Sequence, residues 1–309
     1  MNIVCLGESL IDFKDTGPLA FQGYVGGSPL NVAVAAARLG ADVGFVAQVS
    51  HDLFGAYIRR HMKENRIDTS FLLGSEAPST LAFVEEEGGE AHFSFIANAT
   101  ADTLYDPRPR PEFPESLRLV MFGSISLLQE PAASAIVETV AKHRSRSLVV
   151  FDPNVRPALI ASRDVYLKKL EHWLTLAHIA KVSTQDLDWL HPGTPAADVA
   201  RGWLERGPEA VIVTRGEEGV SLFRREADEL MLPAPRVDVA DTVGAGDTFT
   251  GGLMVRLLED RVRDVATVTD DVWHDVLRFA AAAAAINCTR HGAQPPHREE
   301  LDGFLEGGG

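Results

Sequence analysis

The sequence predicts an α/β fold: a three-layer arrangement with a mostly parallel central sheet, helices on both faces and a small inserted β lid. Three observations predict it. Short apolar runs of strand length alternate with helical patterns along most of the chain, as βαβ units do. Two segments, about 10–25 and 79–100, interrupt that alternation without helical periodicity. The chain has 309 residues, 45% of them apolar, enough to bury a large core. We read one domain over 1–309, with the two interrupting segments as lid insertions.

Asn2–Leu6 is a short apolar run closed by Gly7, consistent with a buried strand. Ser28 is the expected N-cap of the next helix and Pro29 its first residue; the alanine-rich stretch ends at Leu39-Gly40. Val43–Val49 reads as a strand and Leu53–Glu64 as a helix. Leu81–Val84, an acidic turn over Glu85–Gly89 and the alternating Ala91–Ile96 predict a hairpin. Leu81, Phe83, Phe93 and Phe95 are its expected apolar face. Pro107–Pro114 reads as a surface connection. The alternation resumes with Leu119–Gly123, Ala132–Lys142, Ser147–Phe151 and Val165–Leu176. His178–Ser183 leads into Gln185–Leu190, and a helix over Ala197–Arg206 precedes strands at Ala210–Thr214 and Val220–Phe223. Helical patterns span Thr248–Leu258 and Val272–Asn287; the small side chains of Ala280–Ala285 permit close backbone approach. Gly307–Gly309 is an expected frayed end.

A formal charge of −15 disfavours nucleic acid and anionic lipid as partners, and no Lys/Arg-rich run reverses this locally. An anionic ligand therefore requires a dedicated set of donors. Cys5 and Cys288 lie far apart and match no metal spacing, so both are expected to be reduced structural thiols. No charged leader precedes the first strand, and no apolar run reaches membrane-spanning length, which predicts a cytoplasmic protein. A phosphate-binding Gly-x-x-x-x-Gly-Lys-Ser/Thr loop is absent, Gly7-Glu8-Ser9-Leu10 carries no dinucleotide fingerprint, and the ten histidines form no metal motif.

The chemistry concentrates in Asp241-Thr242-Val243-Gly244-Ala245-Gly246-Asp247. Two glycines around an alanine let backbone amides converge on one anion, and the helix that follows adds its unpaired donors and positive dipole end. Asp247 at that helix start has two readings. It can cap its own helix, or it can face a hydroxyl that attacks a phosphate and accept its proton.

That loop resembles the C-terminal signature of the ribokinase-like (PfkB) carbohydrate kinases, and further segments resemble the family in the same order. These are Gly7-Glu8-Ser9-Leu10-Ile11-Asp12-Phe13, Gly26-Gly27-Ser28-Pro29-Leu30-Asn31-Val32-Ala33, Phe151-Asp152-Pro153-Asn154-Val155-Arg156 and Thr214-Arg215-Gly216-Glu217-Glu218-Gly219. The resemblance implies an ATP-dependent kinase with Asp247 as general base and the Gly244, Ala245 and Gly246 amides as anion hole. It implies sugar contacts from Asp12, Gly26, Gly27 and Asn31, with Asn154 and Arg156 beyond a strand end. For ATP it implies Thr214, Arg215, Gly216 and Gly219, with Asn287 and Gly292 flanking the adenine. A surface salt bridge for Arg156 and a plain turn at 214–219 are the simpler alternatives. Asp241 and the Val243 carbonyl resemble a monovalent-cation site, for K⁺, although a structural hydrogen bond from Asp241 accounts for it equally.

One departure concerns Mg²⁺. Relatives carry Asn-x-x-Glu where this chain has Ser183-Thr184-Gln185-Asp186, leaving Asp186 to meet the metal through water. Within the family the chain is most similar to fructokinases. Asp12 disfavours an anionic sugar nearby, so neutral fructose is the expected substrate. The 2-dehydro-3-deoxygluconate and ribokinase-type activities are the alternatives inside the family. A catalytically silent sugar- or nucleotide-binding regulator is the alternative outside it, and a nucleotide-cofactor oxidoreductase is disfavoured by the missing fingerprint. Paired lids in such kinases imply a homodimer.

Overall fold

β1 (Ile3–Leu6) runs through the centre of the molecule and is buried on both faces. A computed structural model describes residues 1–87 and 90–307, leaving out the side chains of 85–93. After β1 come β2 (Leu10–Gly17), β3 (Ala20–Gly26), α1 (Ser28–Arg38), β4 (Val43–Ser50), α2 (Leu53–Glu64) and β5 (Leu72–Ser75). β6 (Thr80–Glu87), β7 (Glu90–Ile96), β8 (Leu119–Gly123), α3 (Ala132–His143), β9 (Leu148–Asp152) and α4 (Arg163–Leu176) follow. The C-terminal half adds β10 (Ile179–Ser183), α5 (Thr184–Leu190), α6 (Ala196–Leu204), β11 (Ala210–Thr214), β12 (Val220–Arg224) and β13 (Leu230–Leu232). It ends with α7 (Ala245–Glu259), α8 (Asp270–Cys288) and α9 (Arg298–Glu306).

Among the described residues, nine strands form one sheet in the order β13-β12-β11-β10-β9-β8-β1-β4-β5. It is parallel except at β11–β12–β13, where two antiparallel pairs close one edge. Side chains alternate across it, so Ile3 and Cys5 enter one core while Val4 and Leu6 enter the other. The first core takes Leu30 and Val32 of α1, Ile58 of α2, Leu253 of α7, Trp273 of α8 and Leu301 of α9. The second takes Ile136 of α3, Trp173 of α4, Leu187 of α5 and Trp203 of α6. The expected α/β/α layering is therefore present. It places the C-terminal ends of β1, β9, β10 and β11 along one rim, where parallel sheets hold ligands.

The lid is a separate four-stranded sheet, β3-β2-β6-β7. Its pairing corrects two expectations. Glu85 pairs with His92 and Glu87 with Glu90, so the glutamates belong to the strands, not to a turn; Gly88 and Gly89 lie outside the described residues. Leu81 stands opposite Ile96, and Ala82 opposite Phe95. Directly opposed residues share a face, so Phe95 lies with Ala82 and Asp12, away from Leu81 and Phe83. The proposed single face of Leu81, Phe83, Phe93 and Phe95 is thus two faces, and the Phe93 side chain lies outside the described residues. Phe83 stacks on Phe13 at 5.3 Å between ring centroids, and Phe54 of α2 meets Phe13 edge-on at 5.7 Å.

β5, β13 and α9 were not anticipated. The two strands are three or four residues at sheet edges, and α9 buries only Leu301. Gly308 and Gly309 of the expected frayed end are outside the described residues.

Candidate active site

α1 and α7 cross at close range because Gly251 presents no side chain. A Cβ there would stand 2.6 Å from Ala35 Cβ and 3.0 Å from the Ala36 nitrogen. This contact brings the N-terminus of α1, with Ser28 and Asn31, to the first turn of α7. Gly252 rests in the same way on Ala280 of α8, a use of the alanine run that its small side chains permit.

Asp247, 7% exposed, is where these helices converge. Its Oδ1 accepts a hydrogen bond from Ser28 Oγ at 2.6 Å and a longer one from Asn154 Nδ2 at 3.4 Å. Its Oδ2 accepts from Asn31 Nδ2 at 2.8 Å. The N-cap of α7 is Gly244, with no side-chain cap, so the carboxylate is committed across the molecule rather than to its own helix. Ser28 likewise does not cap α1. The N-cap is Gly27, and the Ser28 hydroxyl is drawn to Asp247 instead. The Ser28 amide donates to Glu8 Oε1, and Glu8 Oε2 accepts from the Ser126 amide and hydroxyl. Burial pushes the Glu8 carboxyl up to about 7. Glu8 thereby joins the Gly27–Ser28 turn to the end of β8.

The 241–247 loop is shaped by one left-handed residue. Gly244 has φ 74°, and a Cβ on it would stand 2.5 Å from Ala293 Cβ. The Ala245 amide is used locally on the Thr242 carbonyl at 3.2 Å, and Thr248 N bonds Gly244 O at 2.8 Å. Of the expected hole amides of Gly244, Ala245 and Gly246, that of Ala245 is thus engaged, and Gly246 is joined instead by Asp247 as first-turn donors, which have no intrahelical acceptor.

Facing them across the rim is Asp12 on β2, close to Gly26 of β3: a Cβ on Gly26 would fall 2.0 Å from Asp12 Oδ2. Burial, and secondarily the Asp247 charge, raise the Asp12 carboxyl to about 6 against the pull of Arg156. Arg156 Nη1 donates to Asn154 Oδ1 at 2.6 Å, which turns the Asn154 amide group toward Asp247. Asn154 itself holds φ 37°, a strained value for a residue with a side chain. The predicted sugar set Asp12, Gly26, Gly27, Asn31, Asn154 and Arg156 thus surrounds Asp247.

The nucleotide and cation sets are more dispersed. Thr214 ends β11, and its hydroxyl faces the Val182 carbonyl at 3.5 Å. The Arg215 guanidinium bonds Ser221 Oγ at 2.8 Å and Glu229 at 3.3 Å, while Gly216 and Gly219 turn the chain between β11 and β12. Asn287, fully buried, donates to the Val243 carbonyl at 2.8 Å, and Gly292 N bonds Asp241 Oδ2 at 3.0 Å. These two residues meet the 241–243 loop. Asp241 Oδ1 also accepts from Val243 N at 3.0 Å, and Lys14 of the lid lies 3.8 Å from Oδ2. Carboxylate and carbonyl oxygens are hard donors that suit a monovalent cation. Asp186 forms a capping box with Ser183 and accepts from Val155 N at 2.9 Å, so its carboxylate already holds three donors. No group of three or more His, Cys, Asp or Glu suited to a metal occurs among the described residues.

Three residues escaped the sequence reading: Ser28 as a donor to Asp247, Glu8 as the tie behind it, and Lys181 of β10. Lys181 is 4% exposed and pairs with Asp152 at 2.9 Å. A lysine inside an otherwise apolar strand was the available signal.

Comparison with known proteins agrees with this geometry. The family profile described as pfkB family carbohydrate kinase matches residues 1–300. A fructokinase of Rhizobium leguminosarum bv. trifolii is 31% identical over 275 residues, covering 87% of this chain and 84% of that protein. An aminoimidazole riboside kinase of Salmonella typhimurium is 30% identical over 305 residues, covering 97% and 93%. The crystal structure of Xylella fastidiosa fructokinase with bound ATP superposes with a TM-score of 0.90 at 30% identity, covering 99% of this chain and 98% of that one. A double mutant of Vibrio cholerae O395 fructokinase, in its fructose-, ADP- and potassium-bound form, gives 0.88 at 25% identity, covering 98% of each chain. With a family match over residues 1–300 and relatives of 30–31% identity along most of its length, the chain belongs to the pfkB family of carbohydrate kinases.

Proposed function

We propose that this protein transfers the γ-phosphoryl group of ATP to the primary 6-hydroxyl of D-fructose, acting in the cytoplasm as one kinase domain with an inserted lid. The observation that carries the mechanism is the Asp247 carboxylate, oriented by Ser28, Asn31 and Asn154 at the first turn of α7. Asp12 and Arg156 would hold the sugar, with Gly26 and Gly27 giving it room. The hydroxyl oxygen attacks the γ-phosphorus while the bond to the β-phosphate oxygen breaks, and its electron pair leaves with ADP. The hydroxyl proton passes to Asp247, and the Gly246 and Asp247 amides face the charge on the transferred group. ATP would lie along Thr214, Arg215, Gly216 and Gly219 toward Asn287 and Gly292. Mg²⁺ supplies charge neutralisation of the phosphates when bound; Asp186 would join its water shell with the lone pairs that Val155 and Ser183 leave over. K⁺ would sit on Asp241 and the Val243 carbonyl.

ADP release with fructose, ribose, 2-dehydro-3-deoxygluconate, aminoimidazole riboside and adenosine in parallel tests the substrate. Fructose should give the highest kcat/KM; a tenfold preference for any other acceptor would reassign it. A homodimer through the lid is the expected assembly, supported by exposed Phe21 and Ile96 on that sheet and Leu19 in its β2–β3 turn. Light scattering that gives a monomer at micromolar concentration would remove it.

Asp12 predicts a pH dependence of sugar binding. Its pKa is raised to about 6, so the ionised form that accepts sugar hydroxyls is lost as pH falls through that value. Fructose Kd, measured by calorimetry, should weaken about tenfold from pH 7 to pH 5. Asp12→Asn should bind weakly at both pH values, with no such slope.

A further inference from the structure

β10 lies in the middle of the large sheet, and Lys181 interrupts its apolar sequence. A buried lysine requires a partner. Here it is Asp152 at the end of β9, fully buried, with Nζ 2.9 Å from Oδ2. The ammonium also reaches past this ion pair. A Cβ on Gly246 would stand 2.8 Å from Lys181 Nζ, so the charge rests directly against the residue preceding Asp247. Thr250, one turn further along α7, completes the arrangement. Its hydroxyl bonds the Gly246 carbonyl at 3.0 Å and lies 3.5 Å from Asp152 Oδ2.

A cation at a helix N-terminus opposes the helix dipole. A lysine that merely filled space would be replaced to advantage by an apolar residue, like Ala180 and Val182 beside it. The position makes sense where anions collect. Burial alone would lower the Lys181 pKa, but Asp152 first, then Asp186 and Asp247, raise it above the ordinary lysine value. Burial pushes Asp152 up to about 6 even with Lys181 beside it. Three carboxylates thus share this neighbourhood before any phosphate arrives.

We propose that Lys181, held on Asp152, is a positioning residue for phosphoryl transfer: it fixes Gly246 and Asp247 in the first turn of α7 and places a permanent positive charge beneath the anion loop. The proposal rests on the phosphoryl-transfer reading; turnover of sugar by the wild type in the same assay separates failure of that reading from failure of this one.

Lys181→Met removes the charge at nearly constant volume. The expected result is a kcat about 10²–10³-fold lower, the scale of losing one preorganised electrostatic partner, with sugar Kd within about threefold of wild type. At saturating sugar, the acid limb of the kcat profile should move about one pH unit upward, because a carboxylate that loses a neighbouring cation protonates more readily. Asp247 is faced by Ser28 and Asn31 from α1, Asn154 from the loop after β9, Asp12 from the lid, and Asp152 and Lys181 from β9 and β10, while Arg156 faces Asp12 and Asp186 faces Asp152 and Lys181. Lys181→Met alone leaves Asp152 buried without its cation and can unfold the chain. The double variant Asp152→Asn/Lys181→Met removes both charges; it should melt near wild type yet remain as slow. A well-folded double variant with kcat within threefold of wild type would overturn the proposal. So would, in Lys181→Met, a loss of kcat with an unmoved acid limb, which assigns the pair to packing, or failure of both variants to fold, which assigns it to the fold alone.

Discussion

Replacing Asp247 by asparagine should lower kcat about 10²–10⁴-fold, the usual contribution of a positioned general base. Fructose and ATP should bind within about threefold of wild type. The reason lies in what surrounds the carboxylate. Asparagine keeps the shape and one acceptor oxygen, and the Ser28 hydroxyl can rotate from donating to accepting, so the neighbouring contacts need little rearrangement. What disappears is the capacity to take a proton from the attacking hydroxyl. Steady-state ADP release, alongside a melting curve that shows the fold retained, makes the measurement. A kcat within threefold of wild type would exclude Asp247 as the base.

The second large effect is expected at Gly244. Alanine there must adopt φ 74° and place its methyl 2.5 Å from Ala293 Cβ and 2.9 Å from Ala293 Cα. The left-handed conformation alone costs an ordinary residue roughly 1–2 kcal/mol. The overlap forces the loop away from the segment at 292–293, and the Gly246 and Asp247 amides move with it. We expect kcat to fall about 10²–10³-fold, as when one donor of an anion hole is lost. Ala293→Gly in the same chain removes one of the two overlapping atoms and should recover part of that loss. A double-mutant cycle on kcat checks the coupling. Full activity in Gly244→Ala would mean that this loop does not cradle the transferred group.

Much of this architecture was legible because apolar periodicity reports directly on strands and helices buried in a parallel sheet. β1, α2, β8, β11 and α8 needed nothing more. The 241–247 loop stood out because Gly244, Gly246 and Asp247 fall within four residues. Other features depend on contacts that no local pattern encodes. Ser28 reads as a cap because Pro29 follows it, yet its partner is 219 residues away, and the stronger acceptor prevails over the helix backbone. The lid face was misassigned because turn length sets which residues oppose one another. A two-residue connection brings Ala82 opposite Phe95, where a five-residue turn suggested otherwise. Lys181 left a trace, a charge within an apolar strand, but its partner and its approach to Gly246 exist only once β9, β10 and α7 are assembled.

Gly292 donates its amide to Asp241, and Ala293 lies under Gly244. The 241–247 loop, which we propose receives the phosphate, is therefore propped by residues that leave the ribosome about fifty positions after it. Asn31 and Ser28, made early, wait for Asp247; Asp247 in turn waits for this late support. A chain that ends before residue 292 lacks both the Gly292 amide that holds Asp241 and the Ala293 contact beneath Gly244.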